Sequence, residues 1–177
     1  LLPDVMRGMQ DARPGIELRV TEATHETELL GLLAGGELDL SFVRRPDDPA
    51  FDHVEVLSDP YVLLAPIDAP LAREQRALRP REVARLPLVA YRRPEEGGEA
   101  LLRSRGADPD VVFRSDDSAI VQAVVGAGIG YALVPLLTVD RSDDRVAILD
   151  VTGIPPREIA LAWHVDRPPQ AAGEAFL

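Results

Sequence analysis

GAGIGYALVP, residues 126–135, decides the fold. Glycines at 126, 128 and 130 precede a short apolar run that Pro135 ends. A glycine-rich phosphate cradle must leave a strand and open a helix, so that free N–H groups at the helix start face the phosphate. The flanks here run the other way. Upstream, RSDDSAIVQAVV (114–125) offers Ser115, Asp116, Asp117 and Ser118 as helix N-caps, since a short side-chain oxygen accepts an N–H of the first turn. Ile120, Val121, Val124 and Val125 follow at helical spacing. The glycines then close that helix, because glycine tolerates the left-handed backbone of a helix end. Tyr131–Val134 reads as a buried strand. Helix, glycine turn, strand is the reverse of a dinucleotide loop, and no cofactor is expected.

The same reading extends outward in both directions. LLPDVMRGMQDA (1–12) is amphipathic and stops at Pro14-Gly15. Ile16, Leu18 and Val20 alternate, which predicts a strand over 16–22 with one buried face. THETELLGLLAGG (24–36) predicts a helix with Thr24 as N-cap, and Leu38, Leu40 and Phe42 a further strand. Helix, strand, helix, strand implies parallel pairing and an α/β fold. Strands follow at 53–59 and 61–66, then a short helix at 79–87 with Pro80 in its first turn. LVAY is a strand, and EALLRSRG is a helix closed by Gly106. Strands at VVF, RVAILDV and LAWHV, and a helix beginning in PPQAAGEAFL, complete the pattern. The character of the chain changes after Pro66, and the order of elements fits two α/β lobes with crossings near 64–70 and 146–152. Lobe I is 1–66 plus 150–177 and lobe II is 67–149, joined by a two-strand hinge.

Bulk composition narrows the function. The chain has 177 residues with 19 basic and 30 acidic side chains, a net charge of −11. Such a surface is a poor partner for a phosphate backbone, so DNA or RNA contact by this stretch itself is not expected. Cysteine is absent, which removes disulfides and thiolate metal sites. His25, His53 and His164 are scattered and lack a carboxylate at ligand spacing, so no metal site is expected. GAGIG lacks the serine of a nucleophile elbow. No apolar run reaches the length of a membrane span.

Four blocks in order resemble the effector-binding domain of LysR-type transcriptional regulators. They are LLPDVMRGMQDARPGIELRVTEA, LLGLLAGGELDLSFVRRPDDPAF, PYVLLAPIDAPLA and SAIVQAVVGAGIGYALVP, and together they cover nearly the whole chain. The resemblance implies a type II periplasmic-binding-protein-like fold, two Rossmann-like lobes with a ligand cleft between them. It implies a non-catalytic, cytoplasmic regulator that assembles as a homodimer or tetramer. It also implies a DNA-binding winged helix-turn-helix upstream, with the family's first strand and the start of its first helix preceding Leu1. A solute-binding protein of a transport system is the alternative on the same fold.

Ligands of α/β sheets sit at strand carboxyl ends and helix N-termini. That rule, with the resemblance, nominates Thr24 and His25 before one helix, and Val43, Arg44 and Arg45 after one strand. It nominates Arg92, Arg93 and Gly97 in the RRPEEGG loop, and Asp116 and Asp117 at the opening helix. Helix starts and arginine both favour anions, so a small polar or anionic effector is expected, a carboxylate held by Arg44 with Arg92 or Arg93. Asp116 and Asp117 read as caps before they read as ligand groups.

Overall fold

The structure, a computed structural model, describes residues 2–23, 25–94, 97–169 and 173. It is a mixed α/β chain of two compact units, Leu1–Leu57 with Glu158–Leu177, and Ser58–Arg157.

Unit 1 starts with α1 (Leu2–Ala12), whose Met9 is buried. The predicted strand over 16–22 forms no ladder among the described residues. Its alternation is real, with Ile16 and Leu18 half-buried, but Val20 is exposed. A strand exists only with a neighbour to accept its N–H groups. Helix α2 (Glu26–Gly35) has acidic side chains in its first turn, which suit the positive end of its dipole. It closes on Gly36 at φ 77°, whose N–H reaches the carbonyls of Leu32 and Leu33. The guanidinium of Arg167 donates to the Leu33 and Ala34 carbonyls at that negative end.

Strands β1 (Ser41–Arg44), β2 (Phe51–Asp59) and β8 (Arg157–His164) form a sheet in the order β1-β8-β2. β1 runs antiparallel to β8, Phe42 opposite Leu161, which corrects the parallel pairing inferred for this half. The parallel neighbour expected for β1 was the 16–22 strand, which is not formed. Leu33, Val43 and Ala162 make the core of this unit.

Unit 2 is built on β3 (Tyr61–Pro66), an uninterrupted apolar run that sits between β6 (Ala132–Pro135) and β7 (Val146–Asp150) and is antiparallel to both. This pairing makes β3 the centre of unit 2, whereas its composition had placed it in the first lobe. β4 (Pro87–Ala90) and β5 (Asp110–Arg114) pair in parallel. β4 also meets Tyr131 in a parallel bridge, so it lies between β5 and the entry to β6. The short α3 (Pro70–Glu74) and α4 (Pro80–Val83) precede it, each with proline in its first turn.

β3 alternates across two cores. Tyr61, Leu63 and Ala65 face one cluster with Leu88, Leu102 and Leu133. Val62 and Leu64 face the other with Val89, Val121 and Val125. Leu102 belongs to α5 (Gly97–Arg103), while Val121 and Val125 belong to α6 (Ser118–Gly126). The two helices therefore cover opposite faces of the sheet. α6 ends as the glycines required, with Ala127 as C-cap and Gly128 at φ 80°. The C-terminal helix expected from PPQAAGEAFL falls almost entirely outside the described residues. No helix among the described residues is long and apolar enough to cross a membrane.

Candidate functional site

The candidate residues fall on both units. In unit 1 they gather where β1 ends and α2 begins. Thr24 lies outside the described residues, and His25 takes the N-cap position without capping through its side chain. Among the described residues, no hydrogen-bond partner reaches the buried Nδ1 atom of His25. Val43 packs its side chain into the core and pairs with Ala160, so only backbone is offered there. Arg44 is exposed, and its backbone N–H and its Nε both donate to Oε2 of Glu26, each at 3.0 Å. A carboxylate from the first turn of α2 thus already stands on the arginine nominated to hold an anion. Arg45 reaches Glu55 at 3.5 Å across exposed surface.

In unit 2 the site is more fully built. From β4 the chain goes through α5 to β5 on one side, then through α6 to β6 on the other. The carboxyl end of β4 is a point where the direction of winding reverses, the place such sheets leave open for ligands. Tyr91 follows β4 directly. Its hydroxyl lies 3.2 Å from the hydroxyl of Ser118, the first residue of α6. Its ring lies against the backbone of Gly97, which opens α5 at φ 70°. One aromatic side chain therefore touches the starts of both helices. Below it, Leu88, Tyr91, Gly98, Glu99, Val121 and Leu133 line a crevice among the strand ends.

Glu99 is buried in that wall. Arg114, at the end of β5, grips it with Nη1–Oε2 at 2.6 Å and Nη2–Oε1 at 3.0 Å, and donates to the Tyr91 carbonyl at 2.7 Å. Hydrogen bonding to Glu99 holds the guanidinium pKa above its ordinary value, against the opposing effect of burial. This two-toothed pair fixes the ends of β4 and β5 and the start of α5 as one piece.

Asp117 is the N-cap of α6, accepting from the amides of Ala119 at 2.8 Å and Ile120 at 3.4 Å. Asp116 accepts the Arg92 N–H at 3.2 Å, and its other oxygen lies 3.7 Å from the exposed Arg92 Nε. Arg93 follows on the exposed surface of the same loop. These contacts make the two aspartates structural first, as their position beside a helix start implied. Replacing Asp117 with Ala should cost about 1 kcal/mol of unit 2 stability, read as a lowered urea midpoint. The Asp116→Ala change should cost less, because it leaves the α6 amides capped.

Among the described residues no group of three or more His, Cys, Asp or Glu could hold a metal ion. Sequence reasoning missed Tyr91, Glu99, Arg114 and Glu26. Tyr91 carried a usable signal, as the polar-tipped aromatic ending an apolar strand before a glycine loop. The Glu99–Arg114 pair spans fifteen positions with no local pattern.

Residues 1–177 match the family model described as the LysR substrate binding domain. The HTH-type transcriptional regulator CbbR of Xanthobacter flavus is 26% identical over 99% of this chain. The chain spans only about half the length of such regulators, 55% of this one. The C-terminal domain of a probable LysR family transcriptional regulator from Rhodococcus sp. RHA1 superposes with a TM-score of 0.86 at 25% identity, covering 99% of this chain and 89% of that one. The regulatory domain of Synechocystis PCC6803 CcmR, solved in complex with 2-PG, gives 0.81 at 18% identity, covering 99% and 86%.

Proposed function

Since the chain belongs to the LysR substrate-binding domain family, we propose that it is the effector-sensing part of a cytoplasmic transcriptional regulator. It binds a small polar or anionic effector and does not transform it. The relatives it matches are transcriptional regulators rather than enzymes or transport proteins. The observation that carries the reading is the carboxyl end of β4. There Tyr91, Arg92 and Ser118 converge where two helices of opposite faces begin. The 2-PG held by the CcmR regulatory domain supports a small effector.

In this reading the effector has its candidate contacts in His25, Arg44 and Arg45 of unit 1 and in Tyr91, Arg92, Arg93 and Ser118 of unit 2. It favours one of two conformations by binding it more tightly. The change passes through the geometry of a dimer or tetramer to a DNA-binding domain elsewhere in the protein. With a net charge of −11 this domain leaves the DNA contact to that other part.

A thermal-shift screen of small carboxylates, phosphate esters, sugars and amino acids tests the reading. An effector at a hundred times its dissociation constant adds about 2.7 kcal/mol to stability, a readily measured rise in Tm. Arg44→Ala should weaken a carboxylate hit about tenfold, the effect of losing one charge-assisted hydrogen bond. An unchanged affinity would remove Arg44 from the site. A screen in which no small molecule moves the Tm would count against effector sensing itself.

A further inference from the structure

We propose that unit 2 contains a polar relay connecting α6 to the two points where the chain enters and leaves this unit, with the buried Asp59–Arg157 pair as its far end. Asp59, the last residue of β2, is 1% exposed. Its Oδ2 accepts from both Nε and Nη2 of Arg157, the first residue of β8. Its Oδ1 accepts the backbone N–H of Leu137 at 3.0 Å. The neighbouring amide of Leu136 donates to the Pro60 carbonyl at 2.9 Å. Leu136 and Leu137 belong to the 3-10 turn Leu136–Thr138 that directly follows β6.

The other end of the relay is Gln122, a buried side chain in α6. Its Oε1 accepts the N–H of Asp140 at 2.9 Å, and its Nε2 donates to the Asp140 carbonyl at 2.8 Å. Gln122 thus grips residue 140 on both of its backbone polar groups, two residues beyond the turn that Asp59 grips. The order of attachment is α6, Gln122, Asp140, the turn, Asp59, Arg157.

Both anchors are hard to release. A buried charge whose partner is removed costs far more than an exposed one, and a buried amide group left unpaired pays its full desolvation penalty. A displacement of α6 is therefore passed along rather than absorbed locally. What makes this matter for regulation rests on the proposed function, in which the start of α6 faces the effector. The relay itself does not depend on that reading.

Amide hydrogen exchange on the ligand-free protein separates a relay from a set of independent bonds. Asp59→Asn removes the charge and keeps an oxygen for Leu137. Gln122→Leu removes both bonds to Asp140. If the elements act as one, each variant speeds exchange at the far amide as well as the near one. Asp59→Asn should raise exchange at Asp140, and Gln122→Leu at Leu136 and Leu137, on the order of tenfold, with Leu63 and Leu64 of β3 unchanged. Arg157→Lys, which keeps the charge but loses the fork, serves where Asp59→Asn does not fold, and should give the same pattern more weakly. Acceleration confined to the directly bonded amide overturns the proposal, and so does uniform acceleration across unit 2. A failed effector screen leaves these readouts intact, so the two ideas fall separately.

Discussion

Gly98→Ala should destabilise unit 2 by about 3 kcal/mol or more, at the upper end of what overpacking costs. A Cβ at this position would lie 2.3 Å from the carbonyl oxygen of Leu133 and 2.7 Å from its Cβ. That oxygen belongs to β6, and Leu133 is in register with Leu63 of the central strand. The sheet cannot give way there without breaking its ladder. α5 must lift instead, uncovering Leu102, which is fully buried. Urea unfolding followed by far-UV circular dichroism checks this as a drop in midpoint. An unchanged midpoint would mean that α5 does not pack as described. Gly97 is the informative contrast. Its added Cβ would meet the Tyr91 ring at 2.8 Å, a side chain able to swing, and its φ of 70° adds backbone strain. Gly97→Ala should therefore cost less stability than Gly98→Ala while displacing Tyr91 from Ser118.

The second large effect belongs to Arg114. Changing it to Leu leaves the Glu99 carboxylate, whose side chain is 1% exposed, with Arg103 at 2.8 Å as its remaining ion-pair partner among the described residues. Removing one partner of a buried pair costs about 3–5 kcal/mol, and the remaining contact to Arg103 puts this variant near 3 kcal/mol. The asymmetry is the sharper test. Glu99→Gln should cost less, because the Arg114 side chain is 34% exposed and can turn to water. The double change to two leucines should recover part of the loss, since no buried charge then remains unpaired. A double-mutant cycle with additive losses would show that the two side chains do not act together. Because Arg114 also holds the Tyr91 carbonyl, its loss should weaken effector binding in molecules that remain folded.

The helix stopped at the glycines, a cap among residues 115–118 and the unbroken β3 run were legible because each is dictated by neighbours within a few residues. A cap needs only a short oxygen before a turn, and a core strand needs only successive apolar side chains. Pairing partners were not legible. Nothing local in Phe42 says that it lies opposite Leu161 rather than beside a strand twenty residues earlier. The alternating Ile16, Leu18 and Val20 show the limit of periodicity, which reports a half-buried surface but not the neighbour a ladder requires. The division of the chain falls after Leu57 and after Arg157, not at Pro66 and near 150. Composition changed at Pro66, but β3 is held by what it bonds to. Of the site, position relative to strand ends was readable for Arg92 and Asp116, which stand in the loops named for them, whereas Arg44, expected after the strand, is the last residue of β1 and pairs with Ile159. Their charge balance was not readable, because Glu26 meets Arg44 only once α2 and β1 have folded.

The antiparallel match of β1 with β8 has a consequence for synthesis. Ser41–Arg44 leave the ribosome ahead of unit 2, whereas Ile159–Ala162, which complete their ladder, come after the whole of it. At about 5–20 residues per second the wait is on the order of ten seconds. During that interval β1 is an unsatisfied edge able to pair with another nascent chain. Unit 2, contiguous from Ser58 to Arg157, can fold first and limit how far the two ends wander. Overexpression at lowered temperature or with a chaperone that shields extended segments should therefore raise the soluble yield.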